Sequence, residues 1–201
     1  MPLLGTVLVV AFLAIVFPLR WLRLHQRHRV LPRRARSQRP RPRTWVAADV
    51  LFVLGFGLLI CGPAAEAGGI APALAEPGVW VTLSGVITLL AATGVAVWAQ
   101  EAMDAAWVAD IAPREGSRRL ITAGPFRFVR NPNYVAMLAA GSGVVMLALD
   151  AIAVLGWLVL LTSLLMTARA EEPALREHFG SSYDDYAAVT GRFIPGVGRL
   201  R

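Results

Sequence analysis

The chain of 201 residues is 56% hydrophobic and only 16% charged, with a mean hydropathy of +0.57. That balance excludes a disordered chain and is too apolar for an ordinary soluble domain. Its 20 basic side chains are all Arg; against 13 acids they leave a formal charge of +7 and a pI near 11.1, which raises nucleic acid as a partner until the Arg are placed along the chain.

The apolar runs have bilayer length, since about 20 residues at ~1.5 Å each cross a ~30 Å hydrocarbon core. Residues 2–19, 45–62 and 78–99 are three such runs. The first has no basic n-region and no small-x-small cleavage site, and Arg20-Trp21-Leu22-Arg23 follows it directly, so it reads as a retained anchor rather than a signal peptide. A fourth stretch, 134–168, is interrupted only by Asp150. As one helix it would be about 52 Å long, so it is predicted as two helices turning at Asp150. The expected fold is an all-α membrane protein of about five transmembrane helices, the last two forming a helical hairpin, with a cytoplasmic C-terminal helical cap. Residues 1–99 would hold three helices around a basic loop at 20–43, and 100–201 the hairpin 134–168 and the cap 169–201.

Charge placement orients these spans. Residues 20–43 hold ten Arg and no acid, 100–133 hold five Arg, and 169–201 hold five more; the connections at 63–77 and at Asp150 hold none. The positive-inside rule then puts the N-terminus outside, the C-terminus in the cytoplasm and all the Arg on the cytoplasmic face. Placed so, the basic loop suits anionic lipid headgroups, and no nucleic acid is expected. Cys61 is alone and the three His are scattered, so neither an intrachain disulfide nor a metal site is expected.

Asp49, about one turn into the second span, is a candidate because acids inside membranes are often functional, though it can equally reach the headgroups or pair with an Arg. Ala139 and Gly143 read as small residues for close helix packing. The richest segment is 120–134, Leu-Ile-Thr-Ala-Gly-Pro-Phe-Arg-Phe-Val-Arg-Asn-Pro-Asn-Tyr, directly before a membrane helix. Gly124-Pro125 marks a turn, and Pro132 suits a helix start. Arg169-Ala-Glu171-Glu172-Pro follows the other end of the hairpin. An antiparallel hairpin returns both clusters to one membrane face. Leu175, Phe179, Tyr183 and Tyr186 would lay an apolar stripe over them, with Gly180-Ser-Ser breaking the tail into two short helices, the second capped by a Ser. Interfacial aromatics and Arg–Glu pairs also occur as plain membrane anchors.

At these residues the chain resembles a known family. Gly124-Pro-Phe-Arg-Phe-Val-Arg-Asn-Pro-Asn-Tyr134, a hairpin, Glu171-Glu172, Phe179-Gly180, Tyr183, Tyr186 and Arg192-Phe-Ile-Pro195 are similar, in order and spacing, to the isoprenylcysteine carboxyl methyltransferase and phospholipid methyltransferase family. The resemblance covers about 119–198 and implies an integral membrane enzyme using S-adenosylmethionine (SAM), with 100–201 as its cofactor-binding and catalytic region. It places Arg119, Leu120, Ile121 and Phe126 in the turn of the cofactor pocket, Asn131, Pro132, Asn133 and Tyr134 in its helix-start wall, and Glu171 on its acidic side. Arg130 joins them as a ligand-binding cation, while Arg169 matches the substrate-side Arg and, with Glu172, is the catalytic candidate. Where the family most often has Arg-His-Pro, this chain has Arg130-Asn131-Pro132; Asn does not titrate, so no base acts there.

These residue types suit the cofactor. Its carboxylate wants Arg, its ribose a carboxylate acceptor, its adenine an apolar surface, and its sulfonium carboxylates and aromatic faces. The acceptor is expected to be small and lipophilic (a prenylcysteine-like carboxylate, a lipid amine, a phenol or a thiol), reaching the site from the bilayer. An amine or phenol would need a base, for which Glu171, Glu172, Tyr134 and His178 are candidates. An NADPH-dependent membrane reductase and a non-catalytic membrane scaffold are the alternatives.

Overall fold

The computed structural model describes residues 2–28, 42–109 and 120–200. Helix α1 (Pro2–Ala14) passes through a π-turn (Ile15–Leu19) into α2 (Arg20–His28). Then come α3 (Arg43–Ala67), α4 (Val79–Ala109), a 3-10 turn (Gly124–Arg127), α5 (Pro132–Leu147), α6 (Ala151–Phe179) and α7 (Ser181–Val189).

Four segments are long and apolar enough to cross a membrane: Pro2–Arg23, Arg43–Ala67, Val79–Met103 and Ala151–Phe179. The fifth predicted span is shorter. At 16 residues α5 is about 24 Å long. It tolerates this because it lies at the centre of the bundle, where Ala136, Ala140, Val144 and Leu147 are fully buried. Around it pack Val9 and Phe12 of α1, Val16 of the π-turn, Leu59 of α3, Leu89 of α4 and Leu160 and Leu164 of α6.

The turn at Asp150 forms as predicted. Its carboxylate caps α6 by accepting from the Ala153 amide at 2.8 Å, and the 68–78 connection closes over the turn through Leu74 N–H to Leu149 O. The two hairpin helices nevertheless make their most extensive contacts elsewhere, α6 along α3 and α5 along α4. Glycines allow this. A Cβ on Gly156 would lie 2.9 Å from Leu59 N and one on Gly55 2.9 Å from Leu160 N, while a Cβ on Gly143 would lie 2.8 Å from Gly85 O and one on Gly85 3.0 Å from Gly143 O. Close approach through small residues is how apolar helices associate where water gives no drive. Gly143 thus packs closely, as its size suggests, against α4.

Helix α6 also outruns its predicted end, continuing through Pro173 to Phe179. Gly180, at φ +56°, stops it and is itself the residue preceding α7, with no Ser side chain capping that helix. A left-handed backbone costs glycine little, so the break falls there. The cap is one long helix projecting out of the bundle, a turn and a short α7.

Candidate functional site

One end of the bundle gathers the end of α1, the start of α3, the end of α4, the start of α5 and the outgoing half of α6. A cavity of about 690 Å³ opens among them.

The turn that brings the chain into α5 forms its floor. Gly124 adopts φ +62° against α4, where a Cβ would meet Ala102 at 3.1 Å. Pro132 begins α5, needing no N–H where a helix has no carbonyl to offer it. Beside this turn runs the C-terminal tail. Arg130 N–H donates to Gly191 O at 2.8 Å and Asn131 N–H to Arg192 O at 3.2 Å, so the segments pair as a short parallel bridge.

A buried cluster of charge fastens that pairing. The Arg130 side chain is 2% exposed. Its Nη1 donates to Ala187 O at 3.1 Å and to Thr190 O, and its Nη2 to Gly198 O and Glu172 Oε1, both at 2.9 Å. Arg192 grips the same carboxylate with Nε on Oε1 at 2.8 Å and Nη2 on Oε2 at 2.7 Å. That hydrogen bonding raises the Arg192 guanidinium above its ordinary value. Fork-on-carboxylate bonding with burial makes this a strong, directional contact.

Glu171, the adjacent residue, points elsewhere. Successive helix residues are turned by about 100°, so when Glu172 faces the tail, Glu171 faces α5. There Tyr134 Oη donates to its carboxylate, 2.9 and 3.0 Å from the two oxygens. Above, Tyr186 donates to Phe126 O at 2.6 Å, and burial pushes its phenol up to about 12, so it stays a donor throughout the neutral range. Burial likewise raises Tyr183.

Of the predicted site residues, Leu120, Ile121, Phe126, Arg130, Asn131, Pro132, Asn133, Tyr134, Glu171 and Glu172 all line this cavity. The predicted stripe of Leu175, Phe179, Tyr183 and Tyr186 lines it too, as does His178. Arg169 is exposed on α6 and is not part of the lining, and Arg119 lies outside the described residues. Arg130 and Glu172 reach the wall, but most of their hydrogen bonds hold the cap. The Arg192 contact was not foreseen, although its Arg-Phe-Ile-Pro motif marked it. Phe17, Phe52 and Leu164 were also missed, because nothing distinguishes an aromatic or Leu facing a cavity from one facing lipid in an apolar run.

The bundle and its end cavity define a multi-pass helical membrane protein whose cavity is lined mainly by its C-terminal half. The particular family follows from comparison with known sequences. The phospholipid methyltransferase family model matches residues 80–182, just over half of the chain, and the chain belongs to that family, one of membrane methyltransferases. A comparison with curated proteins returned no match.

The charge cluster makes a direct prediction. Removing one member of a buried pair strands the other, at a cost of about 3–5 kcal/mol, whereas an exposed pair contributes about 0–1 kcal/mol. Thermal unfolding of the full chain in detergent is expected to show Glu172→Ala strongly destabilised, with the tail past Val189 open to protease. Arg176→Ala, which breaks the exposed Arg176–Asp184 pair, is expected to unfold near wild type.

Proposed function

We propose that the protein transfers a methyl group from S-adenosylmethionine to a small lipophilic acceptor at the cytoplasmic membrane interface. The observation that carries this reading is the mixed lining of one cavity. Asn131, Asn133, Tyr134 and Glu171, from the start of α5 and from α6, line it together with Asp49 of α3, and Phe17, Trp45, Phe52 and Leu164 add apolar side chains. A water-soluble donor and a lipid-borne acceptor need both kinds of lining, and the cavity has the size of a cofactor site.

The residues present fit SAM. Two polar atoms at this wall are buried with no partner among the described residues, the acceptor Asn133 Oδ1 and the donor Arg130 Nε. Buried groups of this kind call for a partner, and a ligand with an ammonium and a carboxylate supplies both kinds. Glu171 offers a carboxylate for ribose hydroxyls, and Leu120, Ile121 and Phe126 an apolar bed for adenine. When bound, SAM supplies an electrophilic methyl on a sulfonium. The chain's own work is to align the acceptor with that methyl and to exclude water, a contribution of up to ~7–11 kcal/mol. Glu171, bonded to Tyr134, is placed to take a proton from an acceptor that must lose one. Glu172 acts at a distance, through Arg130 and Arg192, by holding the cap in place.

The Arg-bearing ends support the orientation. Arg20, Arg43, Arg130 and Arg192 lie at the cavity end of the bundle, while the 68–78 connection at the opposite end has no Arg, so the cavity end is assigned to the cytoplasm with the N-terminus outside. The basic loop at 20–43 would then meet anionic headgroups.

Two measurements check this reading. Purified protein titrated with SAM is expected to bind saturably, with Glu171→Gln weakening binding about tenfold or more, since hydrogen bonds to a charged group contribute about 1.5–3 kcal/mol. NADPH is expected not to bind; saturable NADPH binding without SAM binding would replace the methyltransferase reading with a reductase. For orientation, Glu76→Cys in a Cys61→Ser background is expected to react with a membrane-impermeant maleimide on intact cells, and Val197→Cys only after permeabilisation. The reverse pattern would invert the assignment.

A further inference from the structure

The transition from α1 to α2 is irregular in a way the bundle alone does not require. Pro18 has no N–H to give the carbonyl one turn back, and the chain widens there into the π-turn Ile15–Leu19. Helix α4 holds that turn open. The Gln100 side chain, fully buried, donates from Nε2 to Val16 O at 2.9 Å. Arg20, itself 4% exposed, donates to the Gln100 carbonyl at 2.8 Å and pairs with Glu101 at 2.5 Å. A buried amide and a buried guanidinium in an apolar bundle are costly to keep, and here they serve one turn of backbone.

What the turn achieves is the placement of Phe17. Val16 points into the core and is fully buried, and the next residue, Phe17, lines the cavity. Its ring meets Phe52 of α3 edge to face, with centroids 6.2 Å apart and planes at 78°, and Phe52 meets Phe56 at 5.1 Å. Beside them Leu19 and Val53 are exposed, on segments long and apolar enough to span a bilayer. The aromatic pair thus brings an apolar surface from two spanning segments to the cavity that Tyr134 and Glu171 also line. The apolar bed for adenine is already supplied by Leu120, Ile121 and Phe126, and a hydrocarbon chain gains from a further apolar wall.

Resting on the methyltransferase reading above, we propose that Phe17 and Phe52 determine acceptor specificity by receiving its hydrocarbon chain, and that Gln100 is the positioning residue that sets Phe17 by fixing the π-turn. On this assignment the acceptor's reactive head reaches Tyr134 and Glu171 while its chain lies along the π-turn and α3.

The test uses the full chain in phosphatidylcholine nanodiscs doped with graded phosphatidylethanolamine or, in a parallel series, farnesylated cysteine, with radiolabelled SAM. Phe17→Ala is expected to raise the KM for the methylated lipid about fivefold or more, through lost aromatic packing, with SAM affinity within about twofold of wild type. Phe17→Leu, which keeps an apolar side chain, is expected to fall between. Gln100→Leu removes the hydrogen bond that α4 gives the Val16 carbonyl and is expected to raise the same KM about threefold, again at near-constant SAM affinity. A merely structural role would move SAM binding and KM together. Transfer by wild type, with variant KM values within about twofold or with SAM affinity falling equally, overturns the wall assignment alone. A wild type that binds SAM and methylates neither lipid overturns the proposed function and the wall with it.

Discussion

A guanidinium cannot shed its charge, and an uncompensated one in a protein interior costs several kcal/mol, so a buried Arg forces its surroundings to assemble around it. Arg130 is in that position. Its side chain is almost wholly buried and directs four hydrogen bonds to three backbone carbonyls of the cap and to Glu172. Those carbonyls, of Ala187, Thr190 and Gly198, belong to the end of α7 and the tail beyond it. One side chain just ahead of α5 thereby ties together α6, α7 and the C-terminus. The backbone pairing of 129–131 with 191–192, the Tyr186–Phe126 bond and the roof over the cavity all depend on it.

Two adjacent carboxylates divide the remaining work. Glu172 neutralises the cluster of Arg130 and Arg192, and Glu171 is turned to Tyr134 at the cavity. The membrane helices supply what the cap does not. Because α6 packs along α3 and α5 along α4, the N-terminal helices bring their own side chains to the same cavity, chiefly the aromatics Phe17, Trp45 and Phe52, with the acid Asp49 among them. Methyl transfer between a soluble donor and a lipid-borne acceptor requires both environments within one small volume.

Much of this was legible in the sequence. Hydropathy and Arg placement gave the spans and the end that carries charge, and Asp150 marked the turn. The residues from Leu120 to Tyr134, with Glu171, marked the cavity because Gly, Pro, Arg and aromatics crowd together there beside a helix start. Helix partners were not legible, since hydropathy measures length and burial without saying against what. Only isolated glycines such as Gly55 and Gly156 record the α3–α6 contact. That Arg130 also binds backbone carbonyls of the cap was not legible, because an Arg that does so looks the same in sequence as one that binds only a carboxylate. Phe17 was hidden for a similar reason, since a π-turn shows in sequence only as a Pro near the end of an apolar run.

The central claim is that the cap and the 120–134 turn together form the SAM site at one end of the bundle. Hydrogen exchange of the full-length protein with and without SAM tests it most directly. Slowed exchange confined to residues 120–134 and 171–192, with the 66–78 region at the opposite end unchanged, is the expected result. Unaltered exchange at saturating SAM, or protection only at the 66–78 end, would contradict it.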